Sequence, residues 1–185
     1  MLDDHELIKR FKDGDETGFD ELVRRYQQRV YALLYRLVRN PEDAYELAQD
    51  AFVRAFRALP RFQGRSSFYT WLYRIAANLA FSFIRSRRRE MVHARTDEQL
   101  DEEAAMNLPS LKTPEADFRQ SRLRAAIGAA VTALPERQRA IFVMRQYDGL
   151  TNNEIAQVLT CPVGTVKANY FFAMKKLQKA LKAWQ

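Results

Sequence analysis

Residues 134–177, LPERQRAIFVMRQYDGLTNNEIAQVLTCPVGTVKANYFFAMKKL, constrain the fold more than any other part of the chain. Asp148-Gly149 marks a turn ending at Leu150. Thr151-Asn152-Asn153-Glu154 then has the form of a capping box, in which a hydroxyl and a carboxylate satisfy backbone N–H groups at a helix start. A short helix follows, with Ile155, Ala156, Val158 and Leu159 apolar. Thr160-Cys161-Pro162 breaks it, and Pro162 suits the first position of the next helix. That helix repeats apolar residues at Val163, Val166, Tyr170, Ala173, Leu177 and Leu181, the spacing of one buried stripe. Its other faces carry Thr165, Lys167, Asn169, Lys175, Lys176 and Lys179. The pattern reads as a helix-turn-helix whose second helix fits a DNA major groove. An ordinary three-helix bundle with solvated lysines is the plainer alternative.

Charge patterning narrows the choice. Residues 1–95 hold 18 Lys/Arg against 13 Asp/Glu, residues 96–117 one against seven, and residues 118–185 eleven against three. Basic segments suit a polyanion such as nucleic acid. The acidic stretch between them is repelled by one and needs another neighbour.

Apolar periodicity is helical nearly throughout, which predicts an all-α protein. Asp3 or Asp4 caps a first helix containing Leu7, Ile8 and Phe11, and Asp15 caps a second running from Phe19 to Leu37. Asn40-Pro41-Glu42-Asp43 opens a third, with a cap, a proline at the first position and acids in the first turn. Its apolar side is Ala44, Leu47, Ala48, Ala51, Phe52, Ala55 and Leu59. Ser66 or Ser67 caps a fourth helix reaching about Arg88. Periodicity fails from Glu90 to Asp117, where an acidic, proline-containing run reads as a flexible linker. The pattern resumes at Phe118. The expected organisation is two small helical domains, residues 1–92 and 118–185, joined by the acidic linker 93–117.

The fourth helix interleaves aromatics and arginines. Phe68, Trp71, Leu72, Ile75 and Leu79 form an apolar stripe, while Arg74, Asn78, Phe81, Arg85 and Arg88 form a separate face. Arginines bind phosphates, an asparagine amide can hydrogen-bond a base edge, and aromatic rings offer planes to unstacked bases. That chemistry suits single-stranded or melting DNA, although Phe68 and Trp71 also read as core. The third helix differs: Asp43, Glu46, Asp50, Arg54 and Arg57 give either a solvated face or a protein-docking one.

Several classes are excluded. No run approaches 18 uninterrupted apolar residues, so neither a signal peptide nor a membrane span is expected. Cys161 is the single cysteine, which precludes an internal disulfide or a cysteine-based zinc site; a redox role for it stays conceivable. With only His5 and His93 as imidazoles, no metal or cofactor is expected. A nucleic-acid enzyme would need a metal cluster or a nucleophile–base set, and Asp43, Glu46 and Asp50 on one helix make a poor one. A stand-alone helix-turn-helix regulator leaves the aromatic–arginine helix unexplained.

These motifs together resemble the bacterial sigma-70-type RNA polymerase sigma factors, specifically the small extracytoplasmic-function (ECF) group, over nearly the whole chain. EDAYELAQDAFVRAFRAL resembles region 2.2. FQGRSSFYTWLYRIAANLA resembles regions 2.3 and 2.4, and LPERQRAIFVMRQYDGLTNNEIAQVLTCPVGTVK resembles region 4. The resemblance implies a non-enzymatic, cytoplasmic initiation factor without cofactor. It would bind core RNA polymerase (beta-prime clamp and beta flap) and promoter DNA, direct polymerase to −10 and −35 elements, and be held inactive by an anti-sigma factor. Matched residue by residue, it implies polymerase contacts at Asp43, Glu46, Gln49, Asp50 and Arg54. A flipped base would be pocketed by the loop Gln63, Gly64, Arg65, Ser66 and Ser67. The −10 element would be read by Trp71, Arg74 and Asn78, with Arg85 on the same helix face. The −35 element falls to Thr165, Lys167, Ala168, Asn169, Phe171 and Phe172, with Lys175 beyond. The acidic linker matches a family segment threaded through a polymerase channel.

The departures matter for promoter reading. Asn169, Phe172 and Met174 stand at usual arginine positions, which predicts fewer phosphate contacts and a shallower salt dependence. Apolar contact of Phe171 with a thymine methyl can compensate. Tyr45 and Ser82 stand where acids are common.

Overall fold

The structure is a computed structural model that describes the backbone of residues 2–94 and 114–182, with side chains for 2–90 and 122–182. Among these residues every regular element is helical: α1 Asp4–Lys12, α2 Thr17–Val38, α3 Pro41–Ala58, a 3-10 turn Leu59–Arg61, α4 Phe68–Ala94, α5 Pro114–Thr132, α6 Glu136–Gln146, α7 Asn152–Val158 and α8 Val163–Ala180.

Helix starts follow local chemistry. Asp3 caps α1 in a reciprocal box with Glu6, each side chain accepting the other's backbone N–H at 2.8 Å. Asn40 Oδ1 accepts from the N–H of Glu42 and Asp43, with Pro41 at the first helical position. Ser67, not Ser66, caps α4: its Oγ accepts the Thr70 N–H at 3.1 Å. Asp15 accepts from Thr17 N–H just ahead of α2. Pro162 stands one position before α8, at the cap itself.

Helix extents depart from the sequence reading at the acidic segment. α4 continues six residues beyond the expected Arg88, to Ala94, and α5 begins at Pro114 rather than Phe118. Helix thus enters the expected linker from both sides, and the remainder, 95–113, lies outside the described residues.

The N-terminal unit packs α2 against α1, α3 and α4. α2 buries Phe19, Leu22, Tyr26, Val30, Leu33, Leu34 and Leu37. With Leu47 and Phe52 partly buried alongside, the fully enclosed residues of α3 are all alanines, Ala44, Ala48, Ala51 and Ala55. Their 4-3-4 spacing makes a smooth face, so the helices approach closely. A fully buried leucine such as Leu33 contributes about 1.5–3 kcal/mol, and a row of them sets this core. Gly18 is a close-approach residue: a Cβ there would lie 2.4 Å from the Leu7 carbonyl oxygen.

In the C-terminal unit α6 is the central helix. Residues 139–144 are buried without interruption, which an amphipathic surface helix does not allow. The cause is that α6 packs on α7 and α8 of its own unit and also on α2 of the other. α7 likewise packs on α4. The two units therefore share a seam, and α4 is buried on more sides than its stripe predicts: Tyr73, Ala76, Ala77 and Ala80 are fully buried.

Candidate nucleic-acid interface

The loop between the 3-10 turn and α4 is held open by its neighbours. Lys12 Nζ donates to the Phe62 carbonyl at 2.6 Å, fixing the loop entrance to α1. Gly64 turns the chain at φ +68, a conformation that costs glycine little. The Phe62 ring lies 4.9 Å from Trp71 and 6.4 Å from Phe68. Gln63, Gly64 and Arg65 are exposed beside this aromatic step, and Ser66 is half-buried.

Gln63, Arg65, Ser66, Trp71 and Arg74, assigned together from sequence, do converge: they line one side of a cleft of about 860 Å³. Arg74 is exposed and enters no ion pair among the described residues. Asn78 and Arg85 are also exposed, further along α4 and outside the cleft lining. Cations, an amide and an accessible aromatic edge in one strip can hold a sugar–phosphate chain and stack an unpaired base.

Phe68 is buried, in keeping with its reading as core, and Tyr73 is buried as well. Tyr73 is the largest fully buried side chain among the described residues, and its hydroxyl donates to the Arg29 carbonyl at 3.1 Å. Ser67 spends its hydroxyl on the α4 cap and on Thr70 Oγ1 at 2.8 Å.

On α3, Glu46, Gln49 and Arg54 are exposed. Asp50 pairs with Arg54 at 2.9 Å and Asp43 with Arg87 at 2.6 Å. Sequence reading passed over the apolar part of this surface. Tyr45, Val53 and Phe56 are exposed beside the acids, at the i, i+8 and i+11 positions of one stripe that includes Gln49. Acidic and exposed apolar residues therefore share this face of α3. The signal was the helical spacing of these residues opposite the alanine face.

On α8, Lys167, Ala168, Phe171, Phe172 and Lys175 are exposed and Thr165 is half-buried. Phe171 and Phe172 keep 61% and 52% of their surface in solvent, with ring centroids 5.7 Å apart. Asn169 is the exception within the set: its Nδ2 donates to the Thr165 carbonyl at 2.9 Å, folding the amide back onto the helix.

Residues 22–90 match the Sigma-70 region 2 family and residues 124–177 the Sigma-70, region 4 family. The RNA polymerase sigma-H factor of Pseudomonas aeruginosa is 37% identical over 182 residues, covering 96% of this chain and 93% of that protein. The chain belongs to the ECF group of sigma-70 family RNA polymerase sigma factors. Its relatives include the ECF RNA polymerase sigma-E factor of Escherichia coli K12, 37% identical over 179 residues with 96% and 93% coverage. As a sigma factor it is a transcription initiation factor and not an enzyme. Two solved structures share the fold. Sigma factor RpoE of Bartonella quintana, solved with the anti-sigma factor NepR, superposes with a TM-score of 0.73 at 22% identity, over 89% of this chain and 96% of that one. CnrH, solved with the cytosolic domain of CnrY, gives 0.71 at 23% identity over 97% of both. In this sigma factor the region 2 match begins inside α2 and ends inside α4, and the region 4 match begins inside α5 and ends inside α8. No described helix is long and apolar enough to cross a membrane.

Proposed function

We propose that this sigma factor acts in the cytoplasm, binds core RNA polymerase, brings it to a promoter through −10 and −35 contacts, and promotes melting at the −10 element. The observation that carries the reading is the joint presence of two distinct nucleic-acid surfaces: the aromatic–arginine strip on α4 and the helix-turn-helix of α7 and α8. Neither alone spans a promoter.

In this reading residues 1–92 form the polymerase-binding and −10 unit, 93–117 the linker, and 118–185 the −35 unit. The α3 face docks on the beta-prime clamp through Glu46, Gln49, Asp50 and Arg54, with Tyr45 and Val53 adding apolar area. The C-terminal unit meets the beta flap. Gln63 to Ser67 receive an extruded base of the non-template strand, Trp71 supports the strand separation, and Arg74, Asn78 and Arg85 track the backbone and neighbouring bases. Lys167 and Lys175 neutralise phosphates at the −35 element while Phe171 and Phe172 meet base methyl groups. An anti-sigma factor that covers these faces would hold the protein inactive, as the solved relatives with bound anti-sigma partners suggest by analogy.

Run-off transcription with purified core polymerase, with and without the protein, on genomic promoter fragments tests this. Stimulation on a subset of fragments is expected. Tight duplex binding without polymerase, and no stimulation on any fragment, would overturn it in favour of a stand-alone regulator.

A further inference from the structure

The loop 63–67 has little of its own to hold it. Gln63, Gly64 and Arg65 are exposed. The named side-chain hydrogen bonds of the loop are local, from Ser66 Oγ to the Ser67 carbonyl at 3.3 Å and between Ser67 and Thr70. Its two ends, by contrast, are both tied to α1, a helix that precedes the region 2 match beginning at Leu22.

At the entrance Phe62 is fixed three times over. Its N–H donates to the Leu59 carbonyl at 3.0 Å, its ring lies against Trp71 and Phe68, and its carbonyl accepts from Lys12 Nζ, 50 residues away in sequence. A charged donor makes this the stronger kind of hydrogen bond. Lys12 enters no ion pair among the described residues. Lys9 and Arg10 already place cations in the last turn of α1, where they oppose the helix dipole. Beside Lys12, Phe11 meets Phe19 and Phe56 at 5.7 and 5.0 Å, which seats this end of α1 on α2 and α3.

The exit is reached from the other end of the same helix. Asp4 pairs with Arg25 at 2.5 Å and accepts from the Tyr26 hydroxyl. The Tyr26 ring so directed lies 5.6 Å from Phe68, the first residue of α4, and 5.6 Å from Tyr69. Phe68 in turn lies 5.7 Å from Trp71.

We infer that α1 is a brace that presets the base-receiving loop, with Lys12 as the positioning residue at its entrance and Asp4, through Tyr26, at its exit; what the loop receives rests on the sigma reading. A loop that must order itself around an extruded base loses binding free energy to immobilisation, whereas a preset loop keeps it for the base. Lys12 therefore acts on promoter melting through the Phe62 carbonyl, without touching DNA.

The first arm of the test uses the free intact chain. The chain has two tryptophans, Trp71 and Trp184, so Trp184→Phe leaves Trp71, against the Phe62 ring, as the reporter. In that background Lys12→Met, which keeps an apolar stem and removes the donor, should raise acrylamide quenching of Trp71. Lys12→Arg, which retains a donor, should restore it. Circular dichroism checks folding, which a change at an exposed lysine should not disturb. The second arm uses holoenzyme formed with core polymerase, on a duplex fragment that the wild type transcribes. Lys12→Met should slow open-complex formation roughly three- to tenfold, the scale of one hydrogen bond. The loss should be smaller on the same fragment pre-melted at the −10 element, competition for core should be unchanged, and Lys12→Arg should recover. Asp4→Ala should repeat the melting defect from the other end of the loop. A lysine that met a phosphate directly would instead shift the salt slope of binding by about one, and the brace leaves that slope unchanged. Quenching or melting at the wild-type level in Lys12→Met, or a changed salt slope, overturns the brace. Transcription from no fragment by the wild type would remove the sigma reading and with it the role in melting, while Trp71 quenching still decides whether α1 holds the loop.

Discussion

Arg87, near the outer end of α4, forms a 2.6 Å ion pair with Asp43 in the first turn of α3. The pair ties α4 to α3 and already engages the Asp43 carboxylate. Asp50 is more accessible, paired only with Arg54 one turn along the same helix. Asp50→Arg should therefore weaken competition for core polymerase by tenfold or more, that is by about 1.4 kcal/mol. The local helix loses only about 0.3–0.5 kcal/mol from the new like-charge neighbours. Asp43→Asn should cost polymerase binding much less. Equal losses in a competition assay would reject this ranking.

Phe171 is the most exposed large apolar residue of the −35 face. Covering part of its ring on DNA contributes about 1–2 kcal/mol, so Phe171→Ala should lower −35-dependent transcription roughly tenfold. Activity on a template pre-melted at the −10 element should change little. Parallel loss on both templates would count against the assignment. Asn169→Ala is expected to matter less, because its amide already serves the Thr165 carbonyl.

Burial pushes the Asp148 carboxyl up to about 6, against the smaller opposing effects of Arg36, Tyr73 and Arg29. The sign follows. Folding raises the proton affinity of Asp148 above its value in the unfolded chain, so folding takes up a proton there. The Asp148 contribution to stability should increase as pH falls from about 6 toward the ordinary carboxyl range near 4, and be flat outside that window. The other groups facing this site are Arg29 and Arg36 of α2, Tyr69 and Tyr73 of α4, and Glu154 of α7. Both tyrosines are pushed upward by burial and stay neutral in this window. Chemical denaturation at pH 7.5 and pH 5 reads the effect, and Asp148→Asn should remove this contribution; a pH response unchanged in Asp148→Asn would place its origin elsewhere.

Thr160 holds φ +48 in the turn between α7 and α8, a left-handed conformation that costs a β-branched residue about 1–2 kcal/mol. Thr160→Gly should relieve it, less about 0.5–1 kcal/mol for the greater freedom of unfolded glycine. A net gain of about 0.5–1 kcal/mol in chemical denaturation is expected, and a loss of stability would mean that the hydroxyl makes an essential contact.

Gly18→Ala tests the packing of α1. The added methyl would lie 2.4 Å from the Leu7 carbonyl oxygen and 3.1 Å from Arg10 Cβ. Alanine gains about 1 kcal/mol of helix propensity, but overpacking against backbone costs about 1–3 kcal/mol. A net loss near 1 kcal/mol is expected, with faster hydrogen exchange in α1. Wild-type stability and exchange would show that α1 shifts without cost.

The sequence alone determined what is settled within a few residues along the chain. The caps at Asp3, Asn40 and Thr151, the apolar stripes of α2 and α8, and the residue types of the −10 and −35 faces all depend on neighbours one to four positions away. Those contacts form in any chain with the same local order. Tertiary structure alone decided the rest. The unbroken burial of residues 139–144, the loss of Tyr73 to the core, and the pairing of Arg87 with Asp43 each depend on elements distant in sequence packing together. The same holds for α4, which the sequence presents as a free DNA-binding face and the fold covers with the helix-turn-helix. Periodicity reports which side of a helix is apolar; it carries no information about which other helix will lie against the polar side.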